Sequence, residues 1–249
     1  MTREAASATY EPINTLKPVG DDIWIADGPI IHFGMPWPKM PFPTRMTVIR
    51  LKDGGLFVHS PTAAETSLVE EVRTLGEPRY LVGPNRIHYW WLPDWHAVFP
   101  DAQVWLAPRI REQAGERIAF ETCELGGDRY PWDGEIDTLA VEGGYMTEVV
   151  FFHRASRTLV LTDLIENFEP RRMGPAMRVL TRLGGVLAPD GQMPRDMRLT
   201  FRRHREGLKR AVETMIGWDP ERVIIAHGNW FRENGAAELK RAFRWLRDD

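Results

Sequence analysis

Four short apolar runs in this chain each lead into a side chain of metal-ligand or acid–base type. They are Leu56-Phe57-Val58-His59, Tyr80-Leu81-Val82 leading on to His88, Leu159-Val160-Leu161-Thr162-Asp163, and Ile224-Ile225-Ala226-His227. Runs of this length and composition read as strands rather than helices. In α/β sheets, ligands and catalytic groups gather just past the carboxyl ends of strands, where side chains converge beyond the hydrogen-bonded ladder. Four such endings in one chain predict a layered α/β architecture with a polar site at one end of its strands.

The rest of the chain agrees with that frame. Residues 1–15 are small and polar and read as a disordered or extended lead-in to one domain spanning residues 16–249. Residues 22–26 and 47–51 read as strands, and Gly54-Gly55 turns the chain into Leu56–His59. Repeated proline between residues 34 and 43 excludes helix and central strand, so that stretch reads as a loop able to overhang a site. Apolar residues at helical spacing mark residues 63–75, ended by Gly76 and Pro78. Strands are expected at 79–82 and 102–107, with a loop and short helix between them. Residues 136–141, 147–153 and 158–162 read as hairpin material, 201–216 and 235–247 as helices, and 223–226 as a short buried strand. The Arg-, Met-, Gly- and Pro-rich stretch 170–194 reads as a lid or packing insertion in preference to a membrane-touching helix.

Composition removes several function classes. With 32 Lys and Arg against 35 Asp and Glu, the net charge of −3 offers no basic excess for nucleic acid. The only cysteine, Cys123, has no partner for an intrachain disulfide, so nothing calls for an oxidising compartment. No secretory leader or membrane-length apolar stretch is apparent, and the expected location is the cytoplasm. Ser60 lacks the Gly-x-Ser-x-Gly setting of a nucleophile elbow, and no phosphate-cradling P-loop is present.

The order of elements, with His88, Asp163 and His227-Gly228 each following a strand, resembles the metallo-β-lactamase superfamily from about Leu16 onward. Within it, His59-Ser60-Pro61, the Pro84 to His88 segment, Thr162-Asp163 and Ala226-His227-Gly228 are most similar to a bacterial branch known only as a domain of unknown function. The resemblance implies an α/β fold of four layers, an αββα sandwich with its metal site between two sheets. The superfamily's His-x-His-x-Asp-His motif falls on Gly83, Asn85, Ile87 and His88, so only the last histidine is kept. A further histidine ligand would fall near Tyr145 and Met146. Asp163 matches the bridging aspartate and His227 the final histidine.

Applied residue by residue, the resemblance implies loss of the first metal position and retention of His88, Asp163 and His227 as a single site for one Zn, Fe or Mn ion. His59 stands where the superfamily usually has aspartate, as a substitute ligand or a group orienting Asp163. Asn85, Tyr145 and Trp90 are expected around the pocket. No cofactor is certain on this reading, because the same histidines and aspartate also suit a hydrogen-bonded cluster without metal. Two functions therefore stand side by side. One is a non-catalytic, ligand-binding descendant of the fold with a degenerate metal site. The other is a single-metal hydrolase of the ester, thioester, lactone or phosphoester class. The expected partner is a small molecule, and the oligomeric state is left open.

Overall fold

The computed structural model describes residues 9–33 and 40–246. The expected lead-in at residues 1–8, most of the proline-rich loop (34–39, including Trp37) and Arg247 at the end of the last helix lie outside the described residues. Two sheets make the framework. The first has seven strands in sequence order: β1 (Leu16–Gly20), β2 (Ile23–Phe33), β3 (Met40–Arg50), β4 (Leu56–His59), β5 (Pro78–Gly83), β6 (Gln103–Leu106) and β7 (Cys123–Glu124). It is antiparallel from β1 to β4 and parallel from β4 to β7. The second sheet runs β11 (Arg222–Ile224), β10 (Thr158–Val160), β9 (Thr147–His153), β8 (Ile136–Glu142), with β10 and β11 parallel.

Helices cover the outer faces. On the first sheet lie α1 (Thr66–Leu75) and α2 (Leu92–Val98), the latter against β5, followed in the chain by the short α3 (Ile110–Ala114). The stretch after β10 forms α4 (Pro175–Gly184) and α5 (Arg195–Thr200). Next, α6 (Arg205–Gly217) and α7 (Gly235–Ala242) cover the second sheet at β8 and β11. The result is an αββα sandwich. Between the sheets, Phe57 of β4 meets Phe151 of β9 edge-on at 5.1 Å, and Trp132 packs against Phe57, Tyr80 and Trp105. Fully burying aromatic rings of this size contributes a few kcal/mol each relative to exposure. Trp95 is buried as well, and its indole N–H donates to the Thr62 carbonyl at 2.7 Å, which removes the cost of burying that donor.

Two expectations need correction. The loop read at residues 34–43 gives way at Met40 to strand, because Pro41 and Pro43 pair with His32 and Ile30 on β2 while β4 reaches only Thr47 to Arg50. Beyond β4 this end of β3 is a free edge, where a residue without an N–H costs no ladder bond. The strands read as 22–26 and 47–51 are accordingly parts of two eleven-residue strands. The helix read from residue 201 starts in regular form only at Arg205, after a 3-10 turn at Arg202–His204. Residues 9–15 are tied down: Lys17 Nζ donates to the Tyr10 carbonyl at 2.6 Å, the Asn14 N–H to the Asp27 carbonyl at 2.7 Å, and Arg172 to the Thr9 carbonyl.

Candidate metal centre

Parallel pairing sets the site. In the first sheet β4 and β5 lie side by side with His59 opposite Val82, and the Ser60 N–H continues the ladder to the Val82 carbonyl. Past these ends the chain turns, and His88 follows in a tight turn closed by its N–H on the Asn85 carbonyl. In the second sheet β10 and β11 are parallel neighbours, so their following residues Asp163 and His227 emerge together. Gly228 then turns at a φ of +101°, and a Cβ there would stand 2.2 Å from the Asn167 carbonyl oxygen. Only glycine fits that turn. Arg45 of β3 holds it from behind, donating to the carbonyls of Ile225 and Gly228 while paired with buried Asp27.

Three donor atoms meet at the ends of these strands. His88 Nε2 lies 3.2 Å from His227 Nε2 and 3.2 Å from Asp163 Oδ2, and His227 Nε2 lies 3.2 Å from Asp163 Oδ1. The far nitrogens are anchored: His227 Nδ1 is 2.8 Å from the Pro43 carbonyl and His88 Nδ1 is 2.7 Å from Ser60 Oγ. A carbonyl only accepts, so His227 Nδ1 carries a hydrogen and a neutral His227 presents its lone pair at Nε2. That nitrogen faces His88 Nε2 and the Asp163 carboxylate, a position in which it can ligate a cation or, when protonated, donate to Asp163. Donors bound at ~2.0–2.1 Å around a tetrahedral ion stand roughly 3.3 Å apart, close to the spacing seen. Two imidazoles and a carboxylate thus fit one divalent transition-metal ion.

The charges are coupled accordingly. Burial pushes the Asp163 carboxyl up, but the positive character and hydrogen bonds of His88 and His227 outweigh it and hold the group far below the usual carboxylate range. Burial would lower His227, yet the hydrogen bond and charge of Asp163, helped by Glu166, leave it raised. Glu166 itself lies in the cavity wall, buried, and among the described residues its carboxyl has no hydrogen-bond partner. Burial, opposed by His227 and reinforced by Asp163, pushes it up to about 8.

The other side of Asp163 is built differently. The Ile87 N–H donates to Asn85 Oδ1 at 2.9 Å, which turns the Asn85 amide NH2 toward Asp163 Oδ2 (2.5 Å) and Thr162 Oγ1 (2.9 Å). Beneath it, Glu148 accepts the backbone N–H groups of Thr162, Asp163 and Leu164 at 2.7, 2.8 and 3.2 Å. Burial and the neighbouring Asp163 push the Glu148 carboxyl up to about 7 against the pull of those N–H donors. Asn85 occupies the place matched to a histidine of the superfamily motif, and its NH2 is a donor aimed where a cation would have to sit. On that half of the pocket the Asn85 amide presents N–H donors to Asp163 and Thr162 in place of an imidazole lone pair.

The remaining candidates separate. His59 is buried, its ring edge-on to Phe151 at 5.5 Å; among the described residues its Nε2 has no partner and no hydrogen bond joins it to Asp163. Burial first, then His88, lowers its pKa to about 3, so it is a neutral core imidazole. Trp90 and Tyr145 line a cavity of about 780 Å³ whose floor carries His88, Asp163 and His227. Asn85 is fully buried and is not among the residues lining that cavity. Glu148 and Glu166 escape the sequence reading, which takes in Ser60 without its tie to His88. For Glu148 the available signal is a carboxylate at the head of the apolar run Val149-Val150-Phe151.

A family model described as a domain of unknown function, DUF4336, matches residues 37–177, more than half of the chain. The chain belongs to the DUF4336 family. No curated protein matches it. Among solved structures, this DUF4336 member is similar to the metallo-β-lactamase DIM-1 exposed to ceftazidime, with 13% identity, a TM-score of 0.62 and coverage of 98% of this chain and 99% of that one. It is also similar to a metallo-β-lactamase from Hirschia baltica, with 14% identity, a TM-score of 0.61 and coverage of 93% and 96%. A third is FIM-1 from Pseudomonas aeruginosa in its mono-zinc form, with 12% identity, a TM-score of 0.59 and coverage of 93% and 96%. At such identities the likeness establishes a shared metallo-β-lactamase fold.

Proposed function

We propose that this DUF4336 protein is a single-metal hydrolase acting on a small ester-type substrate, with His88, Asp163 and His227 holding the ion at the floor of the cavity. The observation that carries this reading is the convergence of two imidazole nitrogens and a carboxylate at mutual distances of 3.2 Å. A divalent ion in that position would supply Lewis-acid polarisation of a carbonyl or phosphoryl oxygen and of water.

The chain's own groups do the rest. The Pro43 carbonyl keeps the Nδ1 hydrogen of His227 in place, and Ser60 orients His88, so both rings present Nε2 to the site. Glu166 lines the cavity beside the ligand set, placed to exchange a proton with a bound ligand. Asn85 keeps a second ion out. The apolar side chains Ile31, Phe42, Leu180 and Leu183 exclude bulk water from the bound ligand and favour an apolar substrate body. Activity on nitrophenyl esters, thioesters, lactones and phosphodiesters, measured on chelator-stripped protein before and after addition of one equivalent of zinc, tests the proposal. Zinc-dependent turnover of at least one class, lost in His227→Ala, is expected. A metal-loaded protein inert toward all four would instead support the ligand-binding reading, which the closed Asn85 side favours.

A further inference from the structure

Of the six large hydrophobic side chains exposed among the described residues, Trp90, Tyr145, Leu180 and Leu183 line the cavity. The other two, Val179 and Leu199, sit on α4 and α5, the helices that supply part of the cavity wall. On α4 the usual amphipathic arrangement is inverted. Its only buried residue is polar Thr181, whose hydroxyl donates back to the Met177 carbonyl at 2.8 Å, whereas Val179 and Leu183 are 59% and 63% exposed. A helix normally turns its apolar stripe inward, so an outward one marks a surface that is covered when it works.

Charge says what covers it. Residues 170–205 hold nine arginines and two acidic residues, Asp190 and Asp196, in a chain whose net charge is −3. Arg178, Arg182, Arg195, Arg202 and Arg203 are exposed, and among the described residues no carboxylate lies within ion-pair distance of any of them. Leucines facing outward between cations suit a helix lying in the plane of an anionic bilayer, its apolar side chains in the acyl boundary and its arginines among the headgroups. A second copy docking by the same face would set one arginine cluster against another. A nucleic acid would reward the arginines and leave the leucines unburied.

We infer that α4 and α5 form a docking surface for an anionic lipid bilayer, which brings the cavity mouth to the membrane. Docking itself is independent of the metal. An amphiphilic ligand would then pass from the leaflet into the cavity without crossing bulk water.

Sedimentation of the full chain with phosphatidylcholine vesicles, and with vesicles containing about one-third phosphatidylglycerol, tests the inference. Binding to the anionic vesicles should exceed binding to the neutral ones at least ~10-fold and weaken with salt. The double variants Leu180→Glu/Leu183→Glu and Arg182→Glu/Arg203→Glu should each reduce it ~10-fold or more while melting like wild type, since all four positions are exposed. Three results would overturn the inference. The first is equal or absent binding to both vesicle types. The second is loss in the arginine variant alone, together with equal binding to a DNA oligonucleotide. The third is a dimer in sedimentation velocity that the leucine variant dissolves, without vesicle binding.

Discussion

The two sides of Asp163 follow opposite rules. On the Asn85 side, donors and acceptors alternate: Ile87 N–H to Asn85, Asn85 to Thr162 and Asp163, and three backbone N–H groups to Glu148. On the His88 and His227 side, two imidazole nitrogens and the carboxylate face one another at 3.2 Å, and whether they donate or accept depends on the protons they share. A buried polar network is stable when every member finds its complement, and costly when acceptors oppose acceptors. The first side is therefore complete as protein, and the second is complete only with a cation or with protons shared among its members. One fold thus carries a closed position and an open one around a shared carboxylate.

The largest effect should come from breaking the closed side. Glu148→Ala leaves three buried N–H groups without an acceptor and should cost about 3 kcal/mol of stability, read from chemical denaturation. Glu148→Gln should recover part of that, since its amide oxygen still accepts. A loss below about 1 kcal/mol for the alanine variant would mean that the network does not hold the loop after β10.

A smaller effect is expected from loosening the open side. Ser60→Ala removes the partner of His88 Nδ1 and should weaken zinc binding about 10-fold with little change in stability, as loss of an orienting partner typically does. Titration calorimetry on the chelator-stripped protein measures it. Unchanged affinity would show that the ring of His88 is held by packing alone.

The smallest effect at neutral pH concerns His59, which touches neither side by hydrogen bond. Its pKa falls from an ordinary value near 6.5 when unfolded to about 3 when folded. The unfolded state therefore takes up the proton first. Stability should be full above about pH 6.5 and fall by up to ~1.4 kcal/mol per pH unit as the pH drops toward the folded value. His59→Leu should flatten that slope between pH 6 and 4 in thermal melts, and an unchanged slope would assign the acid sensitivity to other groups.

Much of the open side was legible in the sequence. His88, Asp163 and His227 stand after apolar runs, and strand ends are where ligands collect, so local pattern alone brings them forward. The closed side was not. Glu148 acts on backbone N–H groups some 14 to 16 residues further on, through a hairpin return that no local pattern encodes. Ser60 reads as a failed nucleophile, and its tie to His88 appears only once β4 and β5 are neighbours. A layered α/β domain was legible from alternating strands and helices, whereas the four-layer order came from the family resemblance. The length of β3 was not, because Pro41 and Pro43 read as breakers until β4 proves too short to need an N–H donor at those positions. The outward leucines of α4 follow the same lesson: helical spacing marks a stripe, and only packing decides which way it faces.

Metal stoichiometry of the purified protein, by plasma mass spectrometry after zinc loading and gel filtration, tests the difference between the two sides most directly. One equivalent in wild type and none in Asp163→Asn or His227→Ala is the predicted result. Two equivalents would contradict the closure of the Asn85 side. None in wild type, or one retained without His227, would contradict the open side as a metal site.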